Sequence, residues 1–540
     1  MQSGIMTIPL TVSSILRHAE AVYGNSEIVS RLPEGGIWRY TYGAAASRAR
    51  RLANALKRLG VRHQDRAGTL AWNTHRHYEL YYAVSGSGAI VHTINPRLFP
   101  EQIVYIVNHA EDAVLFFDIT FLPLLEKIRP QLTTLKHLVV MVDRAHMPQS
   151  ELPLLCFEDL IAAESDDFDW PAVDETLASA LCYTSGTTGN PKGVLYGHRS
   201  TVIHGLSSMS SDALGVSSRG AVLPVVPMFH VNAWGIPYSA TMVGAKLVLP
   251  AGQLDGASLF ELITAEKVNF MLGVPTVWLG LLQYCEKQNL KLDCVERIVI
   301  GGSAAPEAMI REFQEKHGVF VIHAWGMSET SPLGTVNSMN NHMASLPLEE
   351  RYRLQAKQGR PMFGIELKIV GPDGSVLPHD GNAFGRLLVR GPWVASGYYK
   401  EDDRGAWFDG WFDTGDVATI DQYGTMAIVD RSKDVIKSGG EWISSVELEN
   451  IAIGHPCVAE CAVVGVPHPK WDERPLLLVV CKDGQSPTKA EILAFLEPQI
   501  AKWWLPDEVI FVESLPHTAT GKLLKRQLRD DYRDVLMSQA

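Results

Sequence analysis

Short apolar runs alternate with helix-length amphipathic segments along most of the chain. Residues 67–72 read as a strand, 75–87 as a helix, 90–95 as a strand, 100–113 as a helix and 114–118 as a strand. The same rhythm returns at 245–250, 258–268, 270–274, 276–288 and 297–302. Strands that alternate with helices imply parallel sheets with helices laid over them. From 367 to 390 the pattern changes to short strands with Gly turns, among them Pro372-Asp373-Gly374, and predicts a small antiparallel unit. A dense polar run, Asp430-Arg431-Ser432-Lys433-Asp434, follows an apolar strand at 426–429. Beyond it, strands at 460–466 and 476–481 and a helix at 489–502 carry enough pattern for a compact α+β unit of roughly a hundred residues. On its own the polar run reads sooner as a surface turn than as a boundary.

Composition narrows the class. A chain of 540 residues leaves room for about three to four domain-sized units and a large core. Hydrophobic residues at 46% and charged residues at 20% are ordinary for a soluble globular protein. The net charge of −12 argues against non-specific nucleic-acid binding but leaves a local basic pocket open. The seven cysteines are odd in number, several lie in apolar runs and none forms a CxxC pair. They read as buried free thiols of a reducing compartment. No signal peptide is evident and the longest apolar runs are too short to span a bilayer, so a cytoplasmic protein is expected.

Chemistry concentrates in a few segments. Tyr183-Thr184-Ser185-Gly186-Thr187-Thr188-Gly189-Asn190-Pro191-Lys192-Gly193 holds three glycines, four Ser/Thr hydroxyls and a lysine after the apolar run 177–182. Glycines turn the backbone tightly and aim N–H groups inward, and the lysine adds a mobile charge. That suits an oligophosphate, although the spacing is not that of the usual phosphate loop. Trp325-Gly326-Met327-Ser328-Glu329-Thr330 follows an apolar strand at 319–322, and a carboxylate just past a strand end can ligate Mg²⁺. By spacing alone Glu329 reads sooner as a solvated loop acid. Gly301-Gly302-Ser303-Ala304-Ala305-Pro306 would let a flat ring approach the backbone, or is simply a strand–turn–helix junction. Asp416, in Thr414-Gly415-Asp416, could take both hydroxyls of a ribose or be a turn aspartate. The nearly uncharged run 226–234, containing His230 and Trp234, reads by default as a core strand with a satisfied histidine.

In this order the motifs resemble the adenylate-forming enzymes, the superfamily of acyl-CoA synthetases, plant coumarate ligases, firefly luciferase and peptide-synthetase adenylation domains. The resemblance runs from about residue 10 to 530 and is strongest to bacterial medium- and long-chain fatty acyl-CoA synthetases. It implies an α/β fold: a large N-terminal domain of parallel sheets plus a small distorted β-barrel, residues 1–431, then a small mobile α+β domain, residues 432–540, with the hinge at Lys433. It implies three small-molecule partners: ATP with Mg²⁺, a carboxylic acid and CoA. Thr184, Ser185, Gly186, Thr187, Thr188, Gly189 and Lys192 would grip the ATP phosphates. Gly302, Ser303 and Ala304 would lie along adenine and the acyl carbonyl, and Trp325, Gly326, Met327 and Ser328 would also bind ATP. Asp416 and Arg431 would hold the ribose, with Lys437 nearby. Glu329, helped by Thr184, would ligate Mg²⁺. Ser328 stands where the family usually has Thr.

Val231, Trp234, Gly302, Met327 and Pro332 would form the acid site, Trp234 acting as a gate and His230 as a wall. Lys433, Ser438, Gly439, Gly440, Glu441 and Trp442 would border the CoA tunnel. Lys522, in a Pro-x4-Gly-Lys pattern, would swing in to bind the carboxylate and α-phosphate. The implied reaction is acid plus ATP to acyl-AMP and pyrophosphate, then acyl-AMP plus CoA to acyl-CoA and AMP. A medium-chain fatty acid is the expected substrate. A short thioether acid such as methylthiopropionate, or loading of a carrier protein, is the alternative. A homodimer fits this branch.

Overall fold

The computed structural model describes residues 4–184, 190–402, 405–439, 441–517 and 523–537. The alternating pattern builds two large sheets. In one, the strands Phe320–Gly326, Arg297–Ile300, Phe270–Gly273, Ala221–Pro224, Lys246–Leu249 and Glu27–Arg31 run parallel in that spatial order. Antiparallel strands close both edges, Leu333–Val336 and Arg360–Pro361 on one side and Ile37–Thr41 on the other. In the second sheet Leu154–Cys156, His137–Val140, Asp112–Phe117, Arg66–Leu70, Ile90–Thr93 and Ala178–Tyr183 are parallel, and Gly193–Gly197 adds an antiparallel edge.

The helix His75–Gly86 explains how the two sheets become one body. Thr74 caps it by accepting from the His77 N–H, and every residue in it is buried. A helix hydrophobic on one stripe only would cover one sheet; this one touches strands of both. Its three tyrosines, at i, i+3 and i+4, reach one segment of the chain. Tyr78 meets the Thr241 hydroxyl at 2.8 Å, Tyr82 donates to the Pro237 carbonyl at 2.9 Å, and Tyr81 donates to the Met228 carbonyl. The 226–241 segment is therefore fixed from below by a rigid element.

The antiparallel unit expected at 367–390 is a five-stranded sheet of Glu366–Val370, Phe384–Arg390, Trp407–Phe408, Trp411–Ile420 and Met426–Arg431. The small C-terminal α+β domain has its own sheet, Glu441–Ile443, Ile436–Ser438, Asp472–Cys481 and Val458–His468, with Glu508–Phe511 added in parallel. Its hydrophobic clusters contain no residue before Ile436, and the great clusters of the N-terminal part contain none after Ile428. Across residue 433 the chain is joined by hydrogen bonds: Ser445 N–H and hydroxyl donate to Asp430 Oδ2 at 2.7 and 2.6 Å, and Ser444 donates to the Val429 carbonyl.

Two local expectations are corrected. The 100–113 helix stops at Ala110, because Glu111 turns left-handed (φ 58°) and Asp112–Phe117 already forms the strand. The apolar run 226–234 is not a strand. After His230 (φ −129°), four non-glycine residues, Val231, Asn232, Ala233 and Trp234, take φ between 44° and 55° and make a left-handed turn ending at Gly235. Within the turn the Ala233 N–H donates to the Pro227 carbonyl at 3.2 Å, while the segment leading into it is held from afar: the Asn73 amide donates to the Pro224 and Val226 carbonyls at 2.9 Å and accepts from the Met228 N–H at 2.6 Å.

Candidate functional site

The site lies past the carboxyl ends of the parallel strands, where open α/β sheets leave a crevice. Thr184 and Lys192 bound one side of it. The strands Ala178–Tyr183 and Gly193–Gly197 pair antiparallel, so the segment between them is a connection pinched at its base. Thr184 donates its N–H to the Lys192 carbonyl at 2.9 Å, and the Lys192 N–H donates back to the Thr184 hydroxyl at 3.2 Å. No helix follows the loop directly, so an anion here would meet backbone N–H groups and a lysine instead of a helix dipole. Ser185, Gly186, Thr187, Thr188 and Gly189 lie outside the described residues. The Lys192 ammonium sits 3.2 Å from Glu401 and 4.7 Å from the Tyr398 ring centroid.

The opposite side is the turn after Phe320–Gly326. Gly326 is required there, since a Cβ would stand 2.1 Å from the Pro332 carbonyl oxygen. The turn Ser328–Thr330 buries Glu329, which is 5% exposed. Its carbonyl accepts from Ala395 N–H at 2.7 Å and its Oε1 accepts from the Tyr398 hydroxyl at 2.7 Å. The Ser328 carbonyl accepts from Tyr196 at 2.9 Å, and the Met327 N–H is capped by Thr330. Among the described residues no three His, Cys, Asp or Glu side chains converge as a metal cage. A carboxylate and a hydroxyl alone suit Mg²⁺ that keeps most of its ligands from phosphates and water.

Asp416 and Arg431 face each other across an antiparallel pair, Asp416 opposite Arg431. The Arg431 Nε lies 2.8 Å from Asp416 Oδ1, and the Trp325 indole N–H donates to Oδ2 at 2.9 Å. Asp416 is buried, and its charge holds the Arg431 guanidinium above its ordinary pKa. Two motifs ninety residues apart thus meet on one carboxylate.

Trp234, Gly301 and Ala324 pack together on the apolar side. A Cβ on Gly301 would stand 2.9 Å from the Trp234 ring and 3.1 Å from the Ala324 carbonyl. Gly302 (φ 82°), Ser303 and Ala304 follow on the exposed turn before the helix Glu307–His317. Val231 and Pro332 are buried, Met327 half-buried, and His230 half-buried at the entrance to the left-handed turn. Behind this side the Cys182 thiol, pushed up to about 11 by burial, donates to Asn232 at 3.2 Å. His204 accepts from the Leu333 N–H at 3.3 Å, and burial lowers its pKa to about 3.

The remaining sequence candidates lie on the C-terminal domain. Lys433 is exposed in the turn 432–434. Lys437 is exposed on Ile436–Ser438, its backbone N–H bonded to Glu473 at 2.9 Å, and no described contact joins it to Asp416. Ser438 accepts from Arg474 at 3.2 Å, and Gly439 (φ 60°) donates to the Trp471 carbonyl at 2.8 Å. Glu441 and Trp442 pair with Ser438 and Lys437 in the strand Glu441–Ile443. Gly440 and Lys522 lie outside the described residues. Sequence reasoning missed Tyr398, Glu401 and Trp471, although the aromatic doublet Tyr398-Tyr399 after Ser396-Gly397 was a visible signal.

The chain matches the AMP-binding enzyme family over residues 16–399 and the AMP-binding enzyme C-terminal domain over 447–522. It is 56% identical to the 3-methylmercaptopropionyl-CoA ligase of Ruegeria lacuscaerulensis, over 99% of this chain and 100% of that one. It is 51% identical to the medium-chain-fatty-acid–CoA ligase of Ectopseudomonas oleovorans, over 99% and 98%. The crystal structure of the anthranilate CoA ligase AuaEII in complex with anthranoyl-AMP superposes with a TM-score of 0.87 at 26% identity, covering 100% of both chains. With these motifs, this fold and these relatives, the chain belongs to the AMP-binding enzyme family, the adenylate-forming superfamily.

Proposed function

We propose that the protein is an ATP-dependent, AMP-forming acid:CoA ligase that acts on short to medium unbranched aliphatic acids, thioether acids included. One observation carries the adenylation chemistry. Lys192 and Glu329 are tied to the same tyrosine, while Asp416 and Arg431 form an ion pair anchored by Trp325 from the strand that leads to Glu329. In the first step an acid oxygen attacks the α-phosphorus and pyrophosphate leaves with the electron pair. In the second the CoA sulfur attacks the acyl carbon and AMP leaves. Lys192 would neutralise the phosphates, Asp416 would take the ribose hydroxyls and Arg431 would keep that carboxylate aimed. Glu329 and Thr184 would hold Mg²⁺, which supplies charge neutralisation on the triphosphate. Lys522 is assigned to the first step and 438–442 to the CoA side. The boundary between the two moving parts is set at 431/432, and a cytoplasmic homodimer completes the reading.

The acid pocket supports the substrate class. Val231, Trp234, Met327 and Pro332 carry no charge, so a tail gains about 0.8 kcal/mol for each CH₂ buried. The 56% identical relative favours a methylthio-terminated acid, whose sulfur replaces a methylene at similar length. A panel of acetate, 3-(methylthio)propionate, hexanoate, octanoate and benzoate, followed by CoA-dependent AMP release, tests this. The aliphatic and thioether acids are expected to exceed acetate and benzoate in kcat/KM by at least tenfold. Turnover of benzoate at an equal or higher rate would overturn the substrate class, and AMP release without thioester would point to a carrier protein.

A further inference from the structure

A single stretch of chain, 395–401, joins the two charged sides of the site. Ala395 donates to the Glu329 carbonyl at 2.7 Å and Tyr399 donates to the Gly193 carbonyl at 2.8 Å. Between these anchors stands Tyr398. Its hydroxyl donates to Glu329 Oε1 at 2.7 Å, and its ring lies 4.7 Å from the Lys192 ammonium. The ring is itself fixed edge-on to Trp407 at 4.9 Å, and Trp407 is tied to the Ala395 carbonyl. No other hydrogen bond reaches the Glu329 carboxylate from a described residue.

We propose that Tyr398 is a positioning residue for adenylation: its hydroxyl fixes one oxygen of the Glu329 carboxylate and leaves the other for the cation, while its ring face sets where the Lys192 ammonium meets the phosphates. This rests on the reading of Glu329 as the carboxylate that holds Mg²⁺.

Three physical points carry it. A carboxylate held through one oxygen keeps the other for a hard cation without a further reorientation. An aromatic face attracts an ammonium at this distance without neutralising it, so the charge stays available to an anion. The competing Glu401 partner is a part-exposed ion pair, with side chains 44% and 29% exposed, and so exchanges readily for phosphate. A side chain that only filled space here would serve as well without its hydroxyl.

Tyr398→Phe keeps the ring and removes that donor. Binding of Mn²⁺, standing in for Mg²⁺, to enzyme saturated with a non-hydrolysable ATP analogue is read by electron paramagnetic resonance. The affinity is expected to fall about tenfold, the scale of one hydrogen bond to a charged group. The Mg²⁺ needed for half-maximal adenylation should rise by a similar factor. Thioester formation from supplied acyl-adenylate should stay within twofold, and the melting temperature within a few degrees. Tyr398→Leu removes the ring as well and should also weaken the ATP analogue itself. Mn²⁺ affinity within twofold of the parent in Tyr398→Phe overturns the proposal, as does an equal fall in both half-reactions. Glu329→Gln separates the layers: if it leaves Mn²⁺ binding unchanged, the metal reading fails; if it weakens binding and Tyr398→Phe does not, only the role of Tyr398 fails.

Discussion

His204 is neutral in the folded chain for a reason that can be measured. Its Nε2 accepts from the Leu333 N–H, and burial lowers its pKa to about 3. The unfolded value is about 6.5. Between these limits the unfolded chain binds a proton that the folded chain refuses. Stability therefore rises with pH across the window and is lost as pH falls from 6.5 toward 3. Buried Asp118, pushed up to about 7, has the opposite sign, so the total pH profile mixes both. A difference measurement isolates one group. His204→Gln keeps an acceptor for Leu333 but cannot titrate, and should flatten the acid slope of unfolding free energy by about 1.4 kcal/mol per pH unit. Urea unfolding at pH 6.5, 5.5 and 4.5 checks this, and an unchanged slope would mean that His204 is protonated in the fold.

The left-handed turn 231–234 is the element where local sequence and fold disagree most. Each non-glycine residue in this conformation costs roughly 1–2 kcal/mol against the right-handed one. Ala233, fully buried and with φ 49°, has no side-chain contact to lose beyond a methyl group. Ala233→Gly should raise stability by up to about 1 kcal/mol, after the greater backbone entropy of glycine is subtracted. Thermal unfolding reads it, and a clear loss of stability would show the methyl packing to be worth more than the strain. Legibility follows the same division. The parallel strands were visible because their period is local, and so was the phosphate-loop motif whose ends Thr184 and Lys192 pinch together. The turn was not, because the groups that fix the segment leading into it, at Pro224, Val226 and Met228, come from Asn73 and Tyr81, some 150 residues earlier. Tyr398 was missed likewise, since its meaning is its contact with Glu329, 69 residues away in sequence. The meeting of Asp416 with Trp325 could be paired only by resemblance, never by spacing.

At the scale of the molecule, the proposed reaction makes the attachment of the C-terminal domain testable. Lys433 lies in the turn where the N-terminal clusters have ended and the C-terminal ones have not begun. Proline there fixes φ near −65° and should hold one orientation. Lys433→Pro is expected to spare one half-reaction and slow the other by tenfold or more, read as pyrophosphate exchange against thioester formation from supplied adenylate. Equal rates in both would remove the hinge. The contacts described across residue 433 have a thermal consequence. Asp430, Ser444 and Ser445 meet through hydrogen bonds, and the hydrophobic clusters on either side stay separate. Heat capacity changes when apolar surface is uncovered. If the C-terminal domain turns as proposed, exchanging those bonds for water would uncover little apolar surface, so the balance between orientations should drift only gently from cold to warm, while the stability of each core bends steeply over the same range.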